Sequence, residues 1–210
     1  MAGIFKAYDI RGIYGDTLTD DLAVKIGRAY GSMIGDGPIV VGRDIRSHSQ
    51  AMFQSLTHGL TLQGHDVIDV GVCSTPMSYF ANGSLNAAGG IMITASHNTA
   101  EWNGFKLCRE QAIPISGSTG IAEIEDRVEK EHFNPPAERP GAVTSHPVGD
   151  EYAEHIRLMA DVRGPMRIAA DMANAMGVVE ARALDGVLDV DALYDTLDGT
   201  FPNHEANPLK

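Results

Sequence analysis

Cysteine is scarce in this chain. Cys73 and Cys108 are the only two in 210 residues, far apart and in no Cys-x-x-Cys pair. That argues against a disulfide framework or a thiolate zinc site and suits a reducing compartment. Long apolar runs are missing as well. Nothing approaches the ~20 residues of a membrane span, and the opening "MAGIFKAYDIRG" has no apolar core of a secretory signal. The expectation is a cytoplasmic protein. Basic residues are few, 16 Lys and Arg against 28 Asp and Glu, for a net charge of −12. Such a chain repels phosphate backbones and anionic lipid, so neither nucleic acid nor membrane is an expected partner. A small anion remains acceptable to a locally positive pocket. What is plentiful is apolar surface. At 43% hydrophobic residues, the chain can bury a core of one large domain, or of one and a half small ones.

Apolar spacing alternates between strand and helix. Asp20 or Asp21 can cap a helix with Leu22, Ile26, Tyr30 and Met33 on one face, ended by Gly35 and Gly37. "PIVVGRD" follows as a buried strand. Ser47 can cap the next helix, with Met52, Leu56 and Leu60 inward and Gly64 as its stop. "DVIDV" is a strand, and Thr75 before Pro76 reads as a cap and a first-turn proline. "GGIMIT" is a further apolar strand. Asn103-Gly104 is a turn signal that throws the chain back as "FKLC". Residues 118–131 form a charged helix with Ile121, Ile124 and Val128 inward. The expected fold is α/β: a mixed, largely parallel sheet with helices on both faces. "NPPAERPG", 134–141, reads as a linker. A helix with Val148, Tyr152, Ile156 and Met159 follows it. "GPMRIAADMANAMG" then repeats the grammar of "GDGPIVVGRD", which marks a second α/β unit from near Pro165.

The chemistry concentrates in "TASHN", 94–98. Ser96 follows the carboxyl end of an inferred parallel strand, the edge where open α/β sheets bind ligands. A hydroxyl there can carry a phosphoryl group if a cation offsets the phosphate and a base handles the proton. His97 is the adjacent candidate for the proton, and Lys106 lies beyond the turn. Polar loops are also full of such residues, so an ordinary loop hydroxyl stays open on chemistry alone. "FKAYDIRGIYG", 5–15, sets Tyr8 and Arg11 in a turn after the first strand, where an arginine can fork onto a phosphate or form a surface ion pair. "VGRDIRSHS", 41–49, places Arg43, Asp44 and Arg46 before a helix N-terminus. There Asp44 is expected to cap the helix and hold Arg43.

"YDIRG", "VGRDIRSHS", "GGIMITASHN", "NGFK" and "FPNHEANP" occur in that order and at compatible spacing. Together they resemble the N-terminal half of the α-D-phosphohexomutases, the phosphomannomutase/phosphoglucomutase family. The likeness spans essentially the whole chain, and TASHN followed by NGFK is its specific part. It implies Ser96 as phosphoserine, passing its phosphoryl group to a hexose phosphate through a bisphosphorylated sugar. His97 would sit near the reacting oxygens, and Lys106 would aid proton transfer and bind substrate. Arg11, with Tyr8 packed nearby, would line the cleft. Mg²⁺ would bind Ser96 through its phosphate, and a hexose 1,6-bisphosphate would act as activator.

The chain departs from that pattern in three places. Thr99 stands where the loop usually carries proline, which loosens it. No Asp-Gly-Asp-x-Asp-Arg metal loop occurs, "DVDALYD" at 189–195 being the nearest acidic cluster, and a hard cation needs several oxygen ligands. The later sugar-selecting domains have no counterpart. The expected organisation is a first domain over 1–140 carrying the serine loop, and a partial second domain over 141–210. Three readings stand: a mutase portion, incomplete alone and completed by a second polypeptide; a non-catalytic remnant or binding module; and a phosphoserine-type phosphatase whose open cleft admits water.

Overall fold

The computed structural model describes residues 3–207. Its main sheet has six strands: β1 (Ile10–Ile13), β2 (Ile39–Arg43), β3 (Val67–Val72), β4 (Gly89–Ile93), β5 (Trp102–Arg109) and β6 (Val143–Ser145), in the order β1-β5-β4-β2-β3-β6. β4, β2, β3 and β6 run parallel, while β5 lies antiparallel to β4 and to β1. The sheet is therefore mixed and largely parallel, as expected.

β4 is buried along its whole length and β2 over all but Arg43, the pattern of strands covered on both faces. Alternate side chains serve two cores. Ile39, Val41, Ile91 and Ile93 pack under helices α1 (Asp20–Met33), α2 (Ser49–Leu62) and α4 (Ile121–Glu129). Val40 and Met92 pack under α3 (Thr75–Ser84) and α5 (Gly149–Met159). The inward residues of α1 and α4 are those that the 3.6-residue spacing picks out, although Met33 is only partly buried. In α5, Tyr152 is buried but Met159 is 69% exposed.

The helix starts lie a residue away from where sequence puts them. Thr19 caps α1, its hydroxyl accepting from Leu22 N at 3.3 Å. Ser74, not Thr75, caps α3 and leaves Pro76 in the first turn. His48 precedes α2 without any side-chain cap, so Ser47 does not cap it.

The Asn103-Gly104 turn is corrected by the structure. Both residues lie inside β5, paired with Gly12 and Arg11. The chain reverses earlier, through 94–101. Glycine is needed at 104 because a Cβ there would collide with Ile10 O of the neighbouring strand and crowd Arg11 Cγ at 3.1 Å. Asn103 is fully buried, its amide oxygen accepting from Gly104 N at 2.8 Å.

Beyond the 134–141 stretch, β6 extends the first sheet beside β3. A second unit follows: β7 (Arg167–Asp171), α6 (Gly177–Ala183) and β8 (Asp189–Leu193), with β7 and β8 parallel. Glu180 of α6 accepts from Ser74 Oγ and from Tyr152 Oη (3.1 Å), which ties this unit to α3 and α5. Burial beside that carboxylate pushes the Tyr152 phenol up to about 12. No helix among the described residues is long and apolar enough to cross a membrane.

Candidate active site

The 94–101 loop leaves the carboxyl end of β4, beside the end of β2, and Asp44 N donates to Ile93 O at 2.9 Å across the two ends. Ser96 is exposed at the loop tip. Its backbone is left-handed, with φ of 58°, a costly conformation for a residue with a side chain. Its N–H donates to Thr94 Oγ1 at 2.9 Å, and its Oγ lies 3.2 Å from His97 Nδ1. Serine and histidine are thus in hydrogen-bond reach, as the motif suggests.

Arg11 reaches the loop from β1, and Lys106 is joined to it through Asp9. Arg11 lies within β1 and not in a turn after it; it pairs with Gly104, two residues before Lys106 on β5, so both side chains share one face. Asp9 gathers them. Arg11 Nε donates to its Oδ2 at 2.9 Å, and Lys106 Nζ lies 3.4 Å from the same oxygen. Arg11 also donates to Asn98 Oδ1 at 2.8 Å, two residues past Ser96. Asp9, at 8% exposure, is the organiser that sequence reading overlooked, although it sits inside "YDIRG". Tyr8 is not brought into this group: it is 78% exposed.

Asp44 does not hold Arg43. Arg43 pairs instead with Asp69 at 2.6 Å. Asp44 accepts from Arg46 Nε at 3.1 Å and from Ser49 Oγ at 2.7 Å. Burial lowers the Arg46 pKa, and Asp44 pulls it back. Nor is the loop loose at Thr99. Its carbonyl accepts from Arg46 at 2.6 Å, and its hydroxyl donates to Glu101 at 2.7 Å.

A cavity of about 590 Å³ opens in front of the loop. Thr94, Ser96 and His97 line it from the first unit; Asp171, Met176 and His204 line it from the second. His204 Nε2 meets both Asp171 oxygens at 3.1 Å, and its Nδ1 faces Glu205 O at 2.8 Å. Two acceptors on one imidazole raise its pKa, the Glu205 carbonyl most. His204 belongs to "FPNHEANP", whose final Pro208 lies outside the described residues, while Asp171 ends β7. Carboxyl ends of parallel strands from both units therefore face one cleft.

Residues 2–135 match the family model for phosphoglucomutase/phosphomannomutase, alpha/beta/alpha domain I. The chain belongs to this family. Among curated relatives of the phosphohexomutases, it is similar to a phosphomannomutase of Escherichia coli, 41% identical over 98% of this chain and 47% of the relative. It is likewise similar to the phosphohexose mutases of Xanthomonas campestris pv. campestris, at 40% over 98% and 46%. A phosphoglucomutase of Neisseria meningitidis is 41% identical over 99% of this chain and 45% of its own length. A crystal structure of a phosphoglucomutase/phosphomannomutase family protein from Burkholderia thailandensis superposes with a TM-score of 0.90 at 34% identity, covering 99% of this chain and 47% of that one. The chain spans about half the length of the curated relatives it matches.

Proposed function

We propose that this chain is the phosphoryl-carrying portion of a phosphohexomutase, with Ser96 as the carrier and a hexose phosphate as substrate. The observation that supports it is the exposed Ser96 hydroxyl, 3.2 Å from His97 Nδ1, at the tip of a left-handed turn that opens onto the cavity. In the transfer, the bond from phosphorus to Ser96 Oγ breaks as one forms to a sugar hydroxyl. The proton of the sugar hydroxyl passes to His97, which returns it to the departing Oγ, so that no net proton is gained or lost. Arg11 and Lys106 supply positive charge beside the loop, in keeping with a reaction carried mainly by positioning and charge neutralisation. The sugar then turns over and returns its other phosphoryl group to Ser96, with hexose 1,6-bisphosphate as the species that first charges the serine. Tyr8 is proposed to meet the substrate from its exposed position.

The division we propose is residues 1–140 as the first domain and 141–210 as part of a second, with β6 lying back on the first sheet. Mg²⁺ would meet the Ser96 phosphate, but the described residues do not fit it on their own. No group of three or more His, Cys, Asp or Glu among them could hold a metal. Asp44 and Asp171 are already engaged by Arg46 and His204. Nothing in the chain or its relatives supports a separate second polypeptide.

Phosphorus NMR of the chain with glucose or mannose 1-phosphate and a hexose 1,6-bisphosphate tests the reading. Phosphoryl exchange is expected in the wild type and none in Ser96→Ala. Exchange that survives Ser96→Ala would refute Ser96 as carrier. Release of inorganic phosphate without sugar exchange would make the chain a phosphatase.

A further inference from the structure

We infer that Arg46 is the positioning residue of the serine loop, pinning Ser96 in its left-handed backbone by drawing the loop's carbonyl oxygens away from the cleft. The inference deepens the reading of Ser96 as a phosphoryl carrier and rests on it for its catalytic meaning. The Arg46 side chain is fully buried. Its Nε donates to Asp44. One terminal nitrogen donates to Thr99 O and Trp102 O, at 2.6 and 3.1 Å. The other donates to Ser96 O and Asn98 O, at 3.1 and 2.7 Å. A guanidinium has five N–H donors, and all five are used. Arg46 therefore has no donor left for a phosphate and acts through the loop alone.

His48 continues the same clamp. Its Nδ1 is 2.8 Å from Asn103 Nδ2, which can only donate, so Nδ1 accepts and Nε2 carries the proton toward Ala100 O at 3.0 Å. Five carbonyls between residues 96 and 102 thus point at two side chains behind the loop. A phosphoryl group on Ser96 would be repelled by carbonyl oxygens turned the other way. The arrangement leaves the Ser96 hydroxyl facing the cleft and overdetermines a backbone conformation that would otherwise relax. The Phe201 ring, 5.2 Å from the guanidinium carbon, closes the outer side. Lysine cannot replace this device, since it offers three donors from one point.

Amide hydrogen exchange on the full chain tests it, with wild type, Arg46→Lys, Arg46→Met and the charge-matched double variant Asp44→Asn/Arg46→Met. Exchange over residues 95–102 is expected to quicken about ten-fold or more in every Arg46 variant, while β2 and β3 keep their rates. The rate of phosphoryl uptake by Ser96 from hexose 1,6-bisphosphate should fall about 10²-fold, as for a misplaced reacting group. The half-saturating concentration should not change, because Arg46 does not touch the ligand. Unchanged exchange over 95–102 would overturn the inference, as would equal loss of protection in β2 and β3 in the double variant. If the wild type takes up no phosphoryl group while the loop still loosens, the clamp stands and the carrier reading falls. If the wild type is charged and the Arg46 variants match its rate, the clamp falls and the carrier reading stands.

Discussion

Asp44 shows how far a single residue's neighbours alter its weight. As a helix cap, its loss would cost about 1 kcal/mol. In the structure it is instead paired with a fully buried guanidinium, as the one carboxylate on it among the described residues, and removing one partner of a buried pair costs about 3–5 kcal/mol. Asp44→Ala should therefore lower the urea-derived unfolding free energy by about 3 kcal/mol; a loss as small as that of a cap would contradict the pairing. The sequence shows Asp44 and Arg46 two residues apart but not which arginine faces inward, because that depends on where β2 ends. Motif residues were legible for the same reason that Asp9 was not. Ser96 and His97 are adjacent and need no fold to meet, whereas Asp9, Arg11 and Lys106 meet only through strand register. His48 carries a pH signature. Burial, ahead of the opposing Ala100 carbonyl and the charges of Arg46 and Asp44, lowers its pKa below 6.5. Between that value and 6.5 the unfolded chain binds more proton than the folded one, so stability falls as pH drops through 6.5 and is level above it. Urea midpoints measured over about pH 5 to 8 should show this slope in the wild type and a flatter one in His48→Gln. Equal slopes would remove His48 as its source.

At the scale of elements, periodicity located every helix and strand of the first sheet except β1, which was expected to end before the turn holding Arg11, and β6, whose three residues are too few to carry a pattern. The Asn103-Gly104 reading failed because that dipeptide also serves where strands approach closely, and only the facing Ile10 backbone distinguishes the two uses. The helices α1 and α2 make the same point. They cross through Gly27 and Gly59, where added Cβ atoms would strike Leu56 O and Val24 O respectively. Overpacking of this kind costs about 1–3 kcal/mol. Gly59→Ala should lower the urea midpoint accordingly with an unchanged slope; a wild-type midpoint would mean that the helices separate freely.

At the scale of the molecule, two α/β units present strand ends to a shared cleft. α5 and the Ser74–Glu180–Tyr152 bonds hold them together. The alternating grammar of the sequence announced both units. It did not announce that residues 199–205 fold back over Arg46, where a Cβ on Gly199 would strike Ile45 O and Phe201 covers the guanidinium. That contact links residues about 150 positions apart and has no local pattern. It places His204 and Asp171 opposite Ser96, in a chain whose net charge of −12 would by itself discourage an anionic substrate. The measurement that bears most directly on the role of Ser96 is the intact mass of the chain after incubation with a hexose 1,6-bisphosphate, followed by fragmentation of the peptide carrying residues 94–102. The expected result is the mass of one added phosphoryl group, located on Ser96 and absent from Ser96→Ala. An unmodified chain, or a phosphoryl group on any other residue, would contradict it.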